Sequence, residues 1–326
     1  MSDVIPAKAG THGHGERGQG SGIRDQAPPN HPERSAITPY VFVLPALVYL
    51  LFFWGYPAGY AFFLSFTDAT FGPGASRFVA LNNYKLLLRD ALFWISLKNS
   101  SVLLVASVLL EVFLGLAVAV YLSSSGKRWK GILIVALLLP WLFSEIVTAM
   151  TWRSVFHEPF GLLNGLLRQA GLPEVAWLSR PNTAMAALVI ASLWQGIGIS
   201  ALVILAALQA IPTRLMDLAS IDGAHGWRRF LHVVLPQLKG VLLLDGMLVG
   251  IKSLGSFTLV FALTGGGPGH GTEVLATHMY RLTFSHYDLG HASAVGVCLA
   301  GLFLGLVSIV YLLQRGGPEA ARRGVR

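Results

Sequence analysis

The sequence predicts an all-α, polytopic membrane protein with six transmembrane helices and both termini in the cytoplasm. Of its 326 residues, 54% are hydrophobic and only 12% are charged, and the mean hydropathy is +0.61. One soluble core cannot bury that much apolar surface without leaving large patches in water. The net charge of +8 fits the Lys and Arg excess of cytoplasmic loops, so we expect lipid, and not nucleic acid, around this chain.

Six apolar segments follow one another along the chain, and each is long enough for a hydrocarbon core that takes about 20 helical residues to cross. They lie at about 40–66, 97–122, 131–152, 184–208, 237–264 and 291–314. Together they define a transmembrane domain at 39–314.

The connections between the segments differ in basic residues, and this difference predicts the orientation. The basic connections carry Lys127, Arg128 and Lys130 between segments two and three, and Arg214, Arg228 and Arg229 between four and five. We expect these two connections on the cytoplasmic side, together with a basic C-terminal tail at 315–326. Residues 1–38 contain no apolar run, so a disordered cytoplasmic tail is expected there.

The segment Asp217–Pro236, here called the polar island, separates the fourth and fifth apolar segments. Its first half is predicted to be a short helix, with Thr213 as its N-cap and Asp217 in its first turn. Asp222 and Gly223 are predicted to end this helix in a turn.

The second half of the polar island is predicted to be an amphipathic helix. One face carries Trp227, Phe230, Leu231 and Val234, and the other carries Arg228, Arg229 and His232. Pro236 is expected to open the next helix at its first position, where proline is tolerated. Such a helix-turn-helix at a membrane surface suits a docking site.

Ionisable residues inside the apolar segments are costly in lipid and are therefore candidates for a transport pathway. Glu145 and Lys252 are assigned to a substrate pathway, with a structural hydrogen bond or an ion pair between subunits as the alternative. Glu111 and Asp245 are expected nearer to helix ends and are weaker candidates. Asp245 and Lys252 lie two helical turns apart, so each is expected to pair with another helix.

A polar and aromatic notch lies inside the fourth segment, at Trp194 and Gln195, followed by Gly196 and Gly198. An aromatic face and an amide are what a sugar ring requires, because they offer packing for its C–H face and hydrogen bonds for its hydroxyl groups. The glycines can equally serve close helix packing.

No nucleotide, metal or catalytic site is predicted. The glycine run at 265–269 lacks the Lys-Ser/Thr ending of a P-loop and is interpreted as a turn. Neither a Ser-His-Asp arrangement nor a paired carboxylate site occurs at a suitable spacing. We therefore expect no cofactor on this chain and no enzymatic activity of its own.

The polar island resembles the signature loop of binding-protein-dependent ABC importer permeases, which reads Glu-Ala-Ala, two variable residues, Asp-Gly-Ala, and later Leu-Pro. Asp217 and Leu218 replace the Glu and the first Ala, and the matching residues are Ala219, Asp222, Gly223, Ala224, Phe230, Leu235 and Pro236. The spacing between these residues is intact.

Further motifs resemble the carbohydrate-uptake branch of that family, which contains maltose-, lactose- and glycerol-3-phosphate-type permeases. They are Leu64-Ser65-Phe66-Thr67, Asn82-Asn83-Tyr84, Leu139-Pro140-Trp141, Phe160-Gly161-Leu162-Leu163-Asn164 and Leu263-Thr264-Gly265-Gly266-Gly267-Pro268. Thr258 stands where many members of the family carry Asp, and it is included in the candidate substrate pathway.

The resemblance implies a sugar importer in a bacterial inner membrane, with this chain as one pore subunit. It implies a coupling helix at the polar island that docks on separate ATPase subunits, which bind ATP and Mg. Ala219, Gly223 and Ala224 would let this loop seat closely, Asp217 and Asp222 would cap or pair at the contact, and Trp227 and Phe230 would anchor it to the bundle. A second permease chain, in a heterodimer, and an extracytoplasmic sugar-binding protein are the other implied partners.

Two other classes were weighed. A secondary transporter of a small polar solute should show coupling-ion chemistry and often an internal inverted repeat, and we find no convincing duplication. A membrane-embedded enzyme needs converging catalytic residues, and only His278, His286 and His291 form a cluster worth testing.

Overall fold

The computed structural model describes residues 38–72, 76–124 and 127–315, and most of them are helical. No β-strand occurs among these described residues, which contain only isolated bridges between Thr67 and Phe78 and between Thr70 and Asp288. The predicted tails at 1–38 and 315–326 lie outside the described residues, except for Thr38, where α1 begins, and Arg315, where the last helix ends.

The helices are numbered in chain order. They are α1 (Thr38–Leu50), α2 (Tyr56–Leu64), α3 (Asn82–Arg89), α4 (Ala91–Ser124), α5 (Lys127–Leu138), α6 (Glu145–Val155), α7 (Leu162–Gln169), α8 (Pro181–Gln209), α9 (Thr213–Ile221), α10 (Gly226–Arg229), α11 (Leu235–Leu254), α12 (Phe257–Leu263), α13 (Leu275–Phe284) and α14 (Leu289–Arg315). Wider π-helical turns lie at Leu51–Gly55 and Phe230–Val234, and a 3₁₀ turn lies at Leu139–Leu142.

The chain divides into two compact units, one ending at Gly55 and one beginning at Tyr56. Five helical segments of the described residues are long and apolar enough to cross a membrane: Val41–Leu64, Ala91–Ser124, Pro181–Gln209, Gly226–Leu254 and Leu289–Arg315. A sixth crossing is available from the bent pair Trp129–Leu142 and Glu145–Val155. Each of these segments overlaps one of the six predicted ones.

The third predicted span, 131–152, is not one straight helix, because its two halves meet at an angle of 99°. Pro140 lies in the 3₁₀ turn that ends the first half, and proline cannot donate a backbone hydrogen bond. Ser144 then caps α6, since its hydroxyl accepts a hydrogen bond from the backbone N–H of Val147 at 3.4 Å.

The fifth span differs from the prediction at both ends. A continuous helical run extends over Gly226–Leu254; within it Pro236 lies in the first turn of α11, close to the predicted position, but α11 continues directly from the helical turns before it. A proline ring conflicts with the carbonyl group four residues earlier, and the wider turn at Phe230–Val234 makes room for it. The run ends at Gly255, and α12 follows as a separate helix.

The first half of the polar island forms α9, with two differences from the prediction. Thr213 is the first helical residue, and the N-cap position belongs to Pro212, which cannot cap with its side chain. Asp217 therefore lies in the second turn, and the first turn has no acidic residue. The predicted end is confirmed: Asp222 is the C-cap, and Gly223 has a φ of +74°.

The core of the second unit is built on α4 and α8, which pack side by side, with α11 against both. One apolar cluster contains Leu103 of α4 and Leu188 of α8. Another contains Leu122 of α4 and Ile204 of α8. Glu111 lies on α4 between these two clusters, so a buried polar layer interrupts the apolar packing.

Candidate functional site

The centre of the polar layer is an ion pair between α4 and α11. The ammonium nitrogen of Lys252 lies 2.9 Å from Oε2 and 3.2 Å from Oε1 of Glu111. The Glu111 side chain is 3% exposed and that of Lys252 is 33% exposed. Lys252 thus pairs with another helix, as its distance from Asp245 along α11 had predicted.

Asp245 completes this layer through Ser200 of α8. The Ser200 hydroxyl group lies 3.2 Å from Oδ1 of Asp245 and 3.5 Å from Oε1 of Glu111. The expectation that Glu111 and Asp245 lie near helix ends is wrong. Glu111 lies well inside α4, which extends over Ala91–Ser124, and Asp245 lies midway along α11.

Two glycines of α8 allow the helices to approach closely. A Cβ atom on Gly196 would collide with the Glu111 carboxylate and the Lys252 ammonium group, so the pair depends on a missing side chain at this position. A Cβ atom on Gly198 would collide with the carbonyl oxygen of Leu137. The packing role weighed for these glycines is therefore present in the structure.

A cavity of about 220 Å³ opens beside the ion pair. Its lining residues come from α4, α6, α8, α11 and the 3₁₀ turn: Glu111, Trp141, Glu145, Gln195, Gly196, Ile199, Ser200, Asp245, Leu248, Val249 and Lys252. Three predicted pathway residues, Glu145, Gln195 and Lys252, meet here. Trp194 and Thr258 are not among the described residues that line the cavity.

The two residues of the predicted notch, Trp194 and Gln195, have different environments: Trp194 packs against other aromatic rings, and Gln195 lines the cavity. Trp194 packs parallel to Phe143 at 6.1 Å and edge-on to Trp152 at 6.0 Å. The Gln195 side-chain amide donates a hydrogen bond of 2.9 Å to the carbonyl oxygen of Phe143, at the break between the two halves of the third span. Among the described lining residues, the aromatic side chain is that of Trp141, which was not among the predicted pathway residues. The one indication of its role in the sequence is its position next to Pro140, where a helix is expected to end.

The polar island presents an apolar surface on α9 and α10. Ile221 is 81% exposed, Leu218 is 50% exposed and Trp227 is 70% exposed. Phe230 packs against the apolar cluster of Leu122 and Ile204, so it anchors the island as expected. Trp227 does not, because it stacks on Phe230 from outside at 5.3 Å.

The remaining residues of the island serve its turn and its junction with α11. Ala219 is buried and its carbonyl oxygen accepts a hydrogen bond of 2.9 Å from the N–H of Ala224, so Ala219 faces its own chain. Asp217 and Asp222 are exposed, and Asp222 caps through its backbone N–H. Leu235 and Pro236 lie in the continuous helical run.

The glycine run at 265–269 is a turn, as predicted. Gly265, Gly266 and Gly269 have φ values of +64°, +83° and +54°, which are left-handed conformations that favour glycine. The turn lies against the fully buried carboxylate of Glu273, which forms an ion pair with Arg281.

The three histidines of the predicted cluster have different surroundings. His278 is buried and its Nε2 lies 3.4 Å from Oδ2 of Asp90, whereas Nδ1 of His291 lies 4.0 Å from Oδ2 of Asp288. His286 is exposed. Across 38–72, 76–124 and 127–315, no group of three His, Cys, Asp or Glu side chains is placed to hold a metal ion.

We expect acid to destabilise the protein through His278. Burial lowers the pKa of this imidazole from 6.5 to about 4; Asp90 opposes the change, and His291, Arg281 and His286 add to it. The unfolded chain therefore takes up a proton at higher pH than the folded chain. The contribution of His278 to stability is fully present above pH 6.5 and decreases as the pH falls towards 4, by on the order of 3 kcal/mol.

Thermal unfolding in detergent between pH 7.5 and 4 measures this effect, with His278→Gln as the matched variant. The unfolding midpoint of the variant should change less over this range. Equal pH profiles for the two proteins would exclude His278 as the source.

Comparison with known proteins agrees with this architecture. Residues 111–316 match the family described as binding-protein-dependent transport system inner membrane component. The trehalose/maltose transport system permease protein MalF of Thermococcus litoralis is 38% identical over 86% of this chain and 94% of its own length. The probable ABC transporter permease protein YurN of Bacillus subtilis is 34% identical over 88% of this chain and 99% of its own.

A solved bacterial ABC transporter involved in the import of the acidic polysaccharide alginate contains a chain of the same fold. The TM-score is 0.73 at 21% identity, with 85% of this chain and 95% of that chain covered. The family match covers most of the core helices and the polar island. The chain therefore belongs to the binding-protein-dependent ABC importer permeases, a family of multi-pass membrane transport proteins.

Proposed function

We propose that this chain is one of two permease subunits that form the pore of an ATP-driven sugar importer. The polar island transmits the motion of separate ATPase subunits into this pore. The observation that carries the proposal is the island itself, in which a short helix ends at a left-handed glycine. Leu218 and Ile221 are exposed on this helix, and Trp227 is exposed on α10. Exposed apolar side chains next to polar ones are typical of a protein contact surface.

The proposed cargo is a sugar. The relative from Thermococcus litoralis is named for trehalose and maltose, and the solved neighbour carries alginate. The cavity of this chain combines an aromatic side chain, Trp141, with hydrogen-bonding groups of Gln195, Ser200 and Asp245, which suits a polyhydroxyl ligand.

The proposed assembly contains four kinds of chain in a bacterial inner membrane. A second, different permease completes the pore, and two ATPase subunits bind ATP and Mg at the cytoplasmic face, where the polar island and both termini lie. An extracytoplasmic binding protein delivers the sugar, and the solved alginate transporter was likewise crystallised with a periplasmic protein that holds an alginate pentasaccharide. This chain needs no cofactor of its own in the proposed mechanism.

Affinity purification of the tagged chain with its ATPase subunit tests the proposal. Wild type should bring down the ATPase, and Gly223→Arg should lose it, because a long cation then projects from the proposed contact surface. Gly171→Arg is the matched control: both glycines follow a helix, have φ values of +74° and +71°, and leave open space around an added Cβ atom. Equal recovery with all three proteins would refute the coupling role.

A further inference from the structure

We propose that the cavity beside the Glu111–Lys252 pair selects an uncharged sugar over an anionic one, and that Oδ2 of Asp245 forms a hydrogen bond with a hydroxyl group of this sugar. The inference rests on the proposed function, since it assumes that the cavity lies on the sugar pathway. It adds to that function a chemical class of cargo and a residue that recognises it.

Asp245 provides the first observation. Its side chain lines the cavity although the residue is only 2% exposed. Oδ1 receives the Ser200 hydroxyl group, whereas Oδ2 is buried and has no hydrogen-bond partner within the described part of the chain. A buried polar atom without a partner costs free energy, so a ligand that supplies one gains affinity.

A sugar hydroxyl group suits this atom in both protonation states of Asp245. A carboxylate oxygen accepts a hydrogen bond from the hydroxyl group, and a protonated carboxyl group donates one to it. Trp141 and the apolar side chains of Leu248 and Val249 form another part of the wall, against which the C–H face of a sugar can pack.

The charges at the cavity provide the second observation. Among the described lining residues, Lys252 is the one cationic side chain, and both oxygens of Glu111 already lie within hydrogen-bond distance of it. Asp245 and Glu145 add two further carboxyl groups. An anionic sugar would therefore meet no unpaired positive charge among the described lining residues, and any ionised carboxylate there would repel it.

This charge pattern separates the chain from the solved transporter of the same fold. That transporter imports the acidic polysaccharide alginate. Because the fold is shared, selection by charge must depend on side chains, and the paired lysine of this cavity is a specific place at which it can act.

Equilibrium dialysis of labelled sugars against the purified importer complex, without binding protein, tests the inference. The neutral probes are glucose, xylose, maltose and trehalose, and the acidic probes are glucuronate, maltobionate and glucose 6-phosphate. We expect saturable binding of at least one neutral probe and of no acidic probe. The inference would be overturned if an acidic probe bound as tightly as the best neutral sugar. It would also be overturned if no neutral sugar showed saturable binding.

Three variants locate the effect. Asp245→Leu should weaken binding of the neutral probe by about tenfold or more, because a buried hydrogen bond is lost. Asp245→Asn, which keeps a hydrogen-bonding group, should weaken it by no more than about threefold. Glu111→Gln releases the Lys252 charge and should give saturable binding of an acidic probe.

The exposed Glu174 provides a control, and Glu174→Gln should bind like wild type. Unchanged affinity in Asp245→Leu, or in Asp245→Asn a loss as large as in Asp245→Leu, would contradict the assigned hydrogen bond. Failure of Glu111→Gln to bind any acidic probe would contradict charge selection through the paired Lys252.

ATP-driven uptake by the same complex in proteoliposomes separates this inference from the proposed function. If uptake of a neutral sugar proceeds but acids bind equally well, only the charge selection is wrong. If no sugar is taken up in response to ATP, the proposed function fails and the inference fails with it.

Discussion

Replacement of Lys252 by Met is expected to lower the free energy of unfolding by about 3 kcal/mol. The substitution leaves the Glu111 carboxylate, which is 3% exposed, without the ammonium group that neutralises it. Ser200 cannot compensate, because its hydroxyl hydrogen is shared between Glu111 and Asp245. Removing one partner of a buried pair costs more than the pair contributes, since an uncompensated charge remains.

The double variant Glu111→Leu with Lys252→Met should recover most of this loss. It removes both charges and replaces them with apolar side chains of similar volume, which is often neutral or stabilising. Lys239→Met is the matched control, because Lys239 is exposed on the same helix, α11.

Thermal unfolding in detergent gives the required midpoints for wild type, Lys252→Met, Glu111→Leu, the double variant and the control Lys239→Met. The unfolding midpoint of Lys252→Met should lie well below that of wild type, and the midpoint of the double variant should lie close to that of wild type. A loss in the double variant equal to the sum of the two single losses would mean that the two side chains are not energetically coupled.

Gly223→Asp is expected to abolish ATP-dependent uptake while the protein still inserts into the membrane. Gly223 has a φ of +74°, and a Cβ atom added there would meet no described atom within 4 Å apart from those of its two chain neighbours. The folded chain therefore bears only the strain of a left-handed residue, about 1–2 kcal/mol. The new carboxylate projects from the surface proposed to contact the ATPase, where an unpaired buried charge would be costly.

Gly171→Asp isolates the effect of strain, because Gly171 has a φ of +71° and equally open space at the end of α7. Uptake in proteoliposomes, the amount of protein in the membrane fraction and the sugar affinity of the binding protein are measured for both variants. Only uptake by Gly223→Asp should fall to background. Normal uptake by Gly223→Asp would refute coupling through the polar island.

The apolar segments and the polar island could be predicted from the sequence because both depend on local properties. Hydropathy over about 20 residues decides whether a helix can cross a membrane. The end of α9 at Asp222 and Gly223 depends only on the conformational freedom of one glycine. The orientation of the chain in the membrane remains a prediction from its basic residues.

The bend of the third span and the continuity of the fifth could not be predicted in the same way. Pro140 and Pro236 both lie next to apolar segments, yet one ends a helix and the other lies inside a continuous helical run. The outcome depends on whether the neighbouring backbone finds other hydrogen-bond partners, such as the Gln195 side chain that donates to Phe143.

The sequence by itself determined that this is a helical membrane protein with a polar, glycine-ended segment between two spans, because these features follow from composition, periodicity and turn chemistry. Only the tertiary structure decided that Glu111 and Asp245 belong to the same buried layer as Lys252 and that Trp194 does not line the cavity. The physical reason is that a helix presents several faces. Packing of α4, α8 and α11, made close by Gly196, selects which side chains meet.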